Sequence, residues 1–324
     1  MKKINNVLIT GGAGFIGSHL VNRLLDKGYK ITVIDNLERG KLEFLPKNIT
    51  FHNVDLRNYS EIKDLFENQD CVIHLASKVG GIGTYTNKPY DIMSSNILID
   101  SNVLKAVIDN KINKYFYASS AHIYPKSLQT ISNSPLIYEE QAYPADPELS
   151  YGWAKLIGEQ NILSAVKEYN FLNAAIARFI GIYGPNQDFN LDTGSVIPVF
   201  SHRAIKYPNI DFKIWGTGLE TRSYCYIDDT LDGIELMINK MNNINLVGPL
   251  NIGKEERVTI SEIAETIVDI SEKNIKIEYD KTKETVIWGQ WCSCQKAEEV
   301  LGWRANTTLK EGITKVYNDI KNRL

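Results

Sequence analysis

The run V-L-I-T-G-G-A-G-F-I-G at residues 7–17 constrains the fold more than any other stretch of the chain. Val7–Thr10 has strand-forming composition and leads straight into Gly11, Gly14 and Gly17, after which apolar residues recur at helical spacing from His19 to Lys27. Gly11 permits a tight turn, Gly14 lets the backbone approach a pyrophosphate, and Gly17 permits close packing of helix on sheet. Phe15 and Ile16 fill the positions between them, where the helix begins. The spacing acquires meaning from its context: a strand before, a helix after, and Asp35 at the end of the next β-rich run, 18 residues beyond Gly17. A carboxylate there can accept hydrogen bonds from both ribose hydroxyls and repels a 2′-phosphate. The following residue is Asn36, not an arginine, so the expected dinucleotide is NAD and not NADP.

The same rhythm continues for half the chain. Ile31–Asp35, Thr50–Val54, Cys71–Leu75 and Tyr115–Ser119 are compact β-rich runs, and Ser60–Glu67 and Asn96–Asp109 carry apolar residues at helical spacing between them. A helix is predicted over Tyr151–Tyr169 and a strand over Asn173–Phe179. Strand–helix alternation implies an α/β chain, a Rossmann-type doubly wound parallel sheet with helices on both faces. Asp55-Leu56 closes the third strand, a position that lies beside the adenine in such folds, and Leu75-Ala76-Ser77 closes the fourth, near the pyrophosphate. After Gly184-Pro185 the pattern loosens into Gly, Pro, Asn and Asp separators over 186–224, with short helices predicted at 229–241, 260–273 and 295–301. The expected organisation is a dinucleotide-binding domain over 1–184, joined by segments returning at about 225–255, and a smaller C-terminal α/β substrate lobe mainly over 185–324.

Charge and cysteine content narrow the partners. With 36 Lys+Arg against 39 Asp+Glu the net charge is −3, which lacks the basic excess of a nucleic-acid binder. Of the four cysteines, Cys292 and Cys294 form a C-x-C with no second pair or histidine cluster beside it, so no metal site is expected. No apolar run approaches the roughly 18 residues a membrane span needs. The start, MKKINNVLIT, holds an apolar run too short for a signal peptide, so a cytoplasmic protein with no membrane partner is expected.

Tyr151 and Lys155 stand in Y-G-W-A-K, four apart on a predicted helix and therefore on one face. A free phenol has a pKa near 10; a neighbouring ammonium and a cationic nicotinamide both favour its phenolate. Ser120, just past the strand ending at Ser119, can hold a substrate oxygen against Tyr151. Tyr151 is the expected base, with Lys155 and Ser120 as its partners.

These motifs together resemble the extended short-chain dehydrogenase/reductases, the nucleotide-sugar epimerases and dehydratases. The similarity rests on the glycine loop, Asp35, Asp55-Leu56, H-L-A at 74–76, S-S at 119–120, Y-x-x-x-K at 151–155 and R-F-x-x-x-Y-G-P at 178–185. It continues through T-R-S-Y-C-Y-I-D-D at 221–229, N-I-G at 251–253 and L-G-W at 301–303, and so covers essentially the whole chain. Within the family, V-G-G-I-G at 79–83, Y-A-S-S-A-H-I-Y-P at 117–125 and W-G-T-G-L-E-T-R-S at 215–223 are most similar to the GDP-mannose 3,5-epimerases. G-P-N-Q-D-F-N at 184–190 and V-I-P at 196–198 resemble the GDP-fucose synthases.

The resemblance implies a nucleotide-diphosphate sugar as substrate, a GDP-sugar ahead of a UDP-sugar. It implies oxidation at C4 by tightly bound NAD with Tyr151 as base, proton exchange at the carbons beside the ketone, and reduction by the same cofactor. It adds Ser119, Tyr151 and Lys155 to the cofactor contacts and gives Gly81, Ile82, Asn190, Arg222 and Gln290 as substrate contacts, Arg222 gripping the diphosphate. It also implies a homodimer built on the helix bearing Tyr151 and the one near Asn96–Asp109. Departures from the family pattern matter for the reaction. His122 stands where these relatives carry an acid/base cysteine, and histidine can perform the same transfer. Their partner bases, a lysine and a histidine, fall on Asn190 and Ser195, which cannot act as bases; His202, Asp188, Asp192 and Lys206 are the substitutes in reach of sequence. Gly181 replaces a substrate-binding asparagine, and Gln290 an arginine. The Asp-Glu pair of 4,6-dehydratases falls on Ala121 and His122, which argues against dehydration. The expected activity is therefore a 3,5-epimerase-like isomerase. The alternatives are a UDP-hexose 4-epimerase, a fucose-synthase-type oxidoreductase and a non-catalytic NAD-binding regulator.

Overall fold

Short strands buried along their whole length set the architecture. All four residues of Cys71–His74 and all seven of Lys114–Ser120 are buried, the pattern of parallel strands covered on both faces. The computed structural model describes residues 4–80, 82–282 and 287–324. Its main sheet contains β1 (Asn6–Thr10), β2 (Lys30–Asp35), β3 (Thr50–Asn53), β4 (Cys71–His74), β5 (Lys114–Ser120), β6 (Asn173–Phe179) and β7 (Leu246–Ile252), in the order β7-β6-β5-β4-β1-β2-β3. The pairings of β1 with β2 and β4, β2 with β3, β4 with β5 and β5 with β6 are all parallel. The order turns back at β1/β4, so the carboxyl ends of these two strands flank a crevice where such sheets bind ligands. This is the Rossmann-type α/β fold.

The helices are α1 (Phe15–Asp26), α2 (Tyr59–Ile62), α3 (Ile82–Asn87), α4 (Pro89–Asp109), α5 (Ser150–Glu168), α6 (Val196–Lys206), α7 (Ile227–Lys240), α8 (Ile260–Ser271), α9 (Gln295–Leu301) and α10 (Leu309–Arg323). The chain forms two compact units. The first is Met1–Ile123, Leu149–Phe179 and Leu231–Leu250; the second is Tyr124–Glu148, Ile180–Thr230 and Asn251–Leu324.

In the first unit, Leu8, Ile34, Val72 and Ile176 on one sheet face pack against Val103, Val107 and Leu104 of α4 and Ile162 of α5. α4 begins seven residues before its predicted start, because Pro89 at its first position presets φ and needs no intrahelical donor. The stretch 60–67 is shorter as α-helix than predicted: α2 ends at Ile62 and a 3-10 turn, Lys63–Phe66, completes it. The interior also holds charge. Glu159 on α5 accepts from Arg178 of β6 through both carboxylate oxygens, at 3.0 and 2.8 Å, and from the Ser119 hydroxyl of β5 at 2.5 Å.

The second unit contains two helices not predicted from sequence, α6 and α10. α10 opens on a capping box in which the Glu311 amide donates to Thr308 Oγ1 at 3.3 Å while the Glu311 carboxylate accepts from the Thr308 amide at 3.0 Å. α8 uses the same device with Thr259 and Glu262. Among the described residues no helix is long and apolar enough to cross a membrane, and no group of three or more His, Cys, Asp or Glu is placed to hold a metal ion.

Removing one partner of a buried pair leaves an uncompensated charge, so Glu159→Ala is expected to cost about 3–5 kcal/mol in urea unfolding. A loss below about 1 kcal/mol, the range of surface pairs, would show that the pair does not hold α5 to the sheet.

Candidate active site

The glycine loop folds as its spacing requires. Gly11 has φ +70°, and a Cβ there would stand 2.7 Å from the backbone of Ala76. A Cβ on Gly17 would stand 2.1 Å from the Gly11 carbonyl oxygen, so the close approach of α1 to the turn admits no side chain. The Gly14 amide donates to Gly11 O at 3.1 Å, and Ser18 makes the first helical bond, to Gly14 O at 2.9 Å. The N–H groups of Phe15, Ile16 and Gly17 therefore have no acceptor within the helix, the arrangement that suits an anion at its N-terminus.

Asp35, at the end of β2, is buried; its Oδ2 accepts from the Ala13 amide at 3.0 Å and its Oδ1 from the Leu37 amide at 2.8 Å. Burial raises its pKa, while the Leu37 and Ala13 amides pull it down. Each oxygen keeps capacity for a second donor. A tight turn, free amides for a pyrophosphate and a carboxylate for a ribose diol fit a dinucleotide.

The remaining expected cofactor contacts divide. Leu75 and Ala76 follow β4, with the Leu75 amide donating to Thr10 O at 3.1 Å. Asn36 is exposed, and Leu56 is buried. Asp55 is held by Arg57, whose Nε lies 2.9 and 3.1 Å from its two oxygens, and this bond keeps the carboxyl below the usual range. The Ser119 hydroxyl is engaged by Glu159.

Tyr151, Lys155 and Ser120 meet in the first unit. Tyr151 lies in the first turn of α5 and Lys155 one turn on, both buried. Burial pushes the Tyr151 phenol up to about 12; a hydrogen bond with Ser77 opposes this, the Asp100 carboxylate adds to it, and Ser120 again opposes it. A positive charge beside the phenol is needed to bring its phenolate toward neutrality, and a cationic nicotinamide carries one. Lys155 Nζ sits 3.7 Å from Asp100 Oδ1 and 4.6 Å from the Tyr117 ring centre.

The His122 amide donates to Ser120 Oγ at 3.2 Å, and its ring meets Tyr151 edge to face with centroids 5.8 Å apart. Tyr85, on α3, lies 5.5 Å from the Tyr151 ring and 6.3 Å from that of His122. Gly81 falls outside the described residues, and Ile82 begins α3.

Three residues at this site lie outside the set expected from sequence: Tyr85, Asn96 and Asp100. Asn96 accepts from the Ser77 hydroxyl and the Lys78 amide, both at 2.7 Å, and so holds the loop after β4. Asn96 and Asp100 share the inward face of α4 with Ile92, Ile99 and Val103. Polar residues at core spacing were the available signal.

Within the second unit, Thr221–Arg222 pairs with Gly289–Gln290, and Arg222 and Gln290 are register partners. The Arg222 guanidinium donates to the carbonyls of Thr221 and Ile287, each at 2.7 Å, and burial lowers its pKa, with Tyr224 and Glu220 opposing. Gln290 Nε2 donates to Gln129 Oε1 at 2.7 Å. Asn190 is exposed in a turn of its own, its side chain accepting from the Asp192 amide at 2.9 Å.

Comparison with known proteins agrees with this geometry. Residues 7–253 match the NAD dependent epimerase/dehydratase family. The chain belongs to that family. It is an NAD-dependent enzyme of the extended short-chain dehydrogenase/reductase type. GDP-mannose 3,5-epimerase of Arabidopsis thaliana is 32% identical over 321 residues, 98% of this chain and 82% of the relative. A putative UDP-glucose 4-epimerase of Methanocaldococcus jannaschii is 33% identical over 328 residues, 98% of each chain. Among solved structures, the UDP-glucose 4-epimerase of Thermotoga maritima with UDP-glucose superposes with TM-score 0.88 at 26% identity, covering 98% of this chain and 99% of that one.

Charge-assisted hydrogen bonds contribute about 1.5–3 kcal/mol each, so Asp35→Asn is expected to weaken NAD binding at least tenfold. Calorimetric titration should also show the preference for NAD over NADP narrowing. An unchanged NAD affinity would mean that Asp35 serves only the loop.

Proposed function

We propose that the protein is a nucleotide-sugar epimerase working through a transient 4-keto sugar, in the manner of a GDP-mannose 3,5-epimerase. One observation carries the reading: Tyr151 is bonded to Ser120 and Ser77, Lys155 follows it by one helical turn, and the His122 ring stands against it. When bound, NAD supplies reversible two-electron oxidation of a sugar carbinol.

The chain's own groups manage the protons. Ser120 holds the sugar oxygen, the Lys155 ammonium favours Tyr151 as its phenolate, and that phenolate receives the hydroxyl proton and becomes the neutral phenol. A ketone acidifies the hydrogens on the carbons beside it. His122 can remove one, and Tyr85, whose phenol burial keeps protonated, can return it. This pair supplies acid/base chemistry that Asn190 and Ser195 cannot. Arg222, anchored by two carbonyls, is proposed to take the diphosphate, a natural role for a guanidinium fork. GDP-sugar preference follows the segments shared with GDP-mannose 3,5-epimerases.

A second reading, a UDP-hexose 4-epimerase, requires only Tyr151, Ser120, Lys155 and NAD. The Methanocaldococcus relative and the Thermotoga structure favour it. The proposal includes a cytoplasmic homodimer. It is supported by four cysteines free of disulfides and by exposed Tyr90 and Leu98 on α4 and Trp153 on α5.

Incubation with GDP-mannose in D2O, followed by return to H2O, is expected to add one or two mass units to the sugar nucleotide. His122→Ala should abolish that gain while sparing substrate-dependent absorbance of reduced cofactor at 340 nm. Tyr151→Phe should lower turnover by roughly 10²–10⁴-fold. No mass gain, with UDP-glucose and UDP-galactose interconverted, would overturn the 3,5-epimerase reading in favour of the 4-epimerase.

A further inference from the structure

The reaction as described has no use for Asp100. This carboxylate lies in the middle of α4 and is only 4% exposed. Its Oδ1 is 2.9 Å from His74 Nε2 and 3.7 Å from Lys155 Nζ, and its Oδ2 accepts from the Tyr117 hydroxyl at 2.5 Å. His74 in turn is joined through Nδ1 to Thr10 Oγ1 at 2.6 Å. Thr10 is the last residue of β1 and precedes Gly11. One carboxylate thus gathers side chains from β4, β5 and α5, and through His74 reaches the foot of the glycine loop.

The directions of these bonds are mutually consistent. Burial holds His74 neutral against the opposing effect of Asp100. A neutral ring that donates from Nε2 to Asp100 must accept at Nδ1, which the Thr10 hydroxyl satisfies. Tyr117 also donates, and an ammonium has nothing but donors. Every neighbour therefore offers a proton to Asp100, the arrangement that suits an ionised carboxylate.

Lys155 needs that charge. Its ammonium is 2% exposed, and a buried amine with no counter-charge gives up its proton. The groups facing it are Asp100 from α4, the Tyr117 ring from β5, neutral His74 from β4, and Glu159 from its own helix. Glu159 is matched by Arg178, which leaves Asp100 to answer Lys155. Gly158 gives the carboxylate room. A Cβ there would stand 2.1 Å from the Tyr117 hydroxyl and 2.9 Å from Asp100 Oδ2.

We propose that Asp100 is a positioning residue of the active site, the fixed counter-ion that keeps Lys155 protonated and in place one turn from Tyr151. The proposal rests on the role given to Lys155 above, but its test needs no substrate. The holoprotein is labelled with 13Cε-lysine and titrated by NMR, with the Lys155 resonance identified by its disappearance in Lys155→Arg. In Asp100→Asn the titration midpoint of Lys155 is expected to fall by at least one pH unit, a tenfold rise in its acid dissociation constant. Asp100→Ser, smaller and also uncharged, should do the same and serves where the asparagine variant does not fold. A midpoint unchanged in a folded variant, even with reduced thermal stability, would overturn the proposal and leave Asp100 a packing residue. Failure of the sugar-nucleotide assignment would leave this readout untouched.

Discussion

Helix α5 lies against the sheet with two charged side chains one turn apart on its buried side, Lys155 and Glu159. The arrangement is tolerable because each faces an opposite charge on a different element, Asp100 on α4 and Arg178 on β6. Breaking a buried pair costs about 3–5 kcal/mol, against a total stability of about 5–15 kcal/mol for a typical domain. Helix, sheet and α4 are thus locked in register by electrostatics as well as by packing. The position of Tyr151, one turn before Lys155, is a consequence of that lock. Ser120 reaches it because β5 is buried along its full length and cannot shift.

Much of this was legible in the sequence, for identifiable reasons. The glycine loop, Asp35 and Y-x-x-x-K are local: their spacing alone puts the groups together on one turn or one helix face. β6 matches its predicted span, Asn173–Phe179, because it follows the helix bearing Tyr151 in the strand–helix alternation. Asp100, Asn96 and Tyr85 are less accessible to sequence reasoning, since their significance depends on how α4 and α3 pack. Asp100 left a faint trace, a carboxylate at core spacing on an amphipathic helix. α10 had a readable start in T-x-x-E at 308–311, but its polar face and the loose segment before it masked the period.

The second unit shows a different kind of divergence. Gly181 stands where the family resemblance places a substrate-binding asparagine. Its φ is +57°, and a Cβ would stand 1.9 Å from the Ser223 carbonyl oxygen. A side chain at this position would meet backbone, so Gly181→Asn could not be accommodated without a local shift. Gln290, facing Arg222 across a short ladder, has found a neutral partner in Gln129.

The carboxylate of Asp35 is fastened by the amides of Ala13 and Leu37 without any help from a ligand. As the proposed ribose acceptor, Asp35 is thereby preorganised. Its rotamer entropy is surrendered during folding and not at the moment of encounter, and the turn that it braces cannot relax when the dinucleotide departs. A pocket that gains nothing by emptying favours a long residence time. In the proposed reaction, which withdraws two electrons from a sugar and hands them back, a cofactor that stays is a working part of the protein and not a co-substrate.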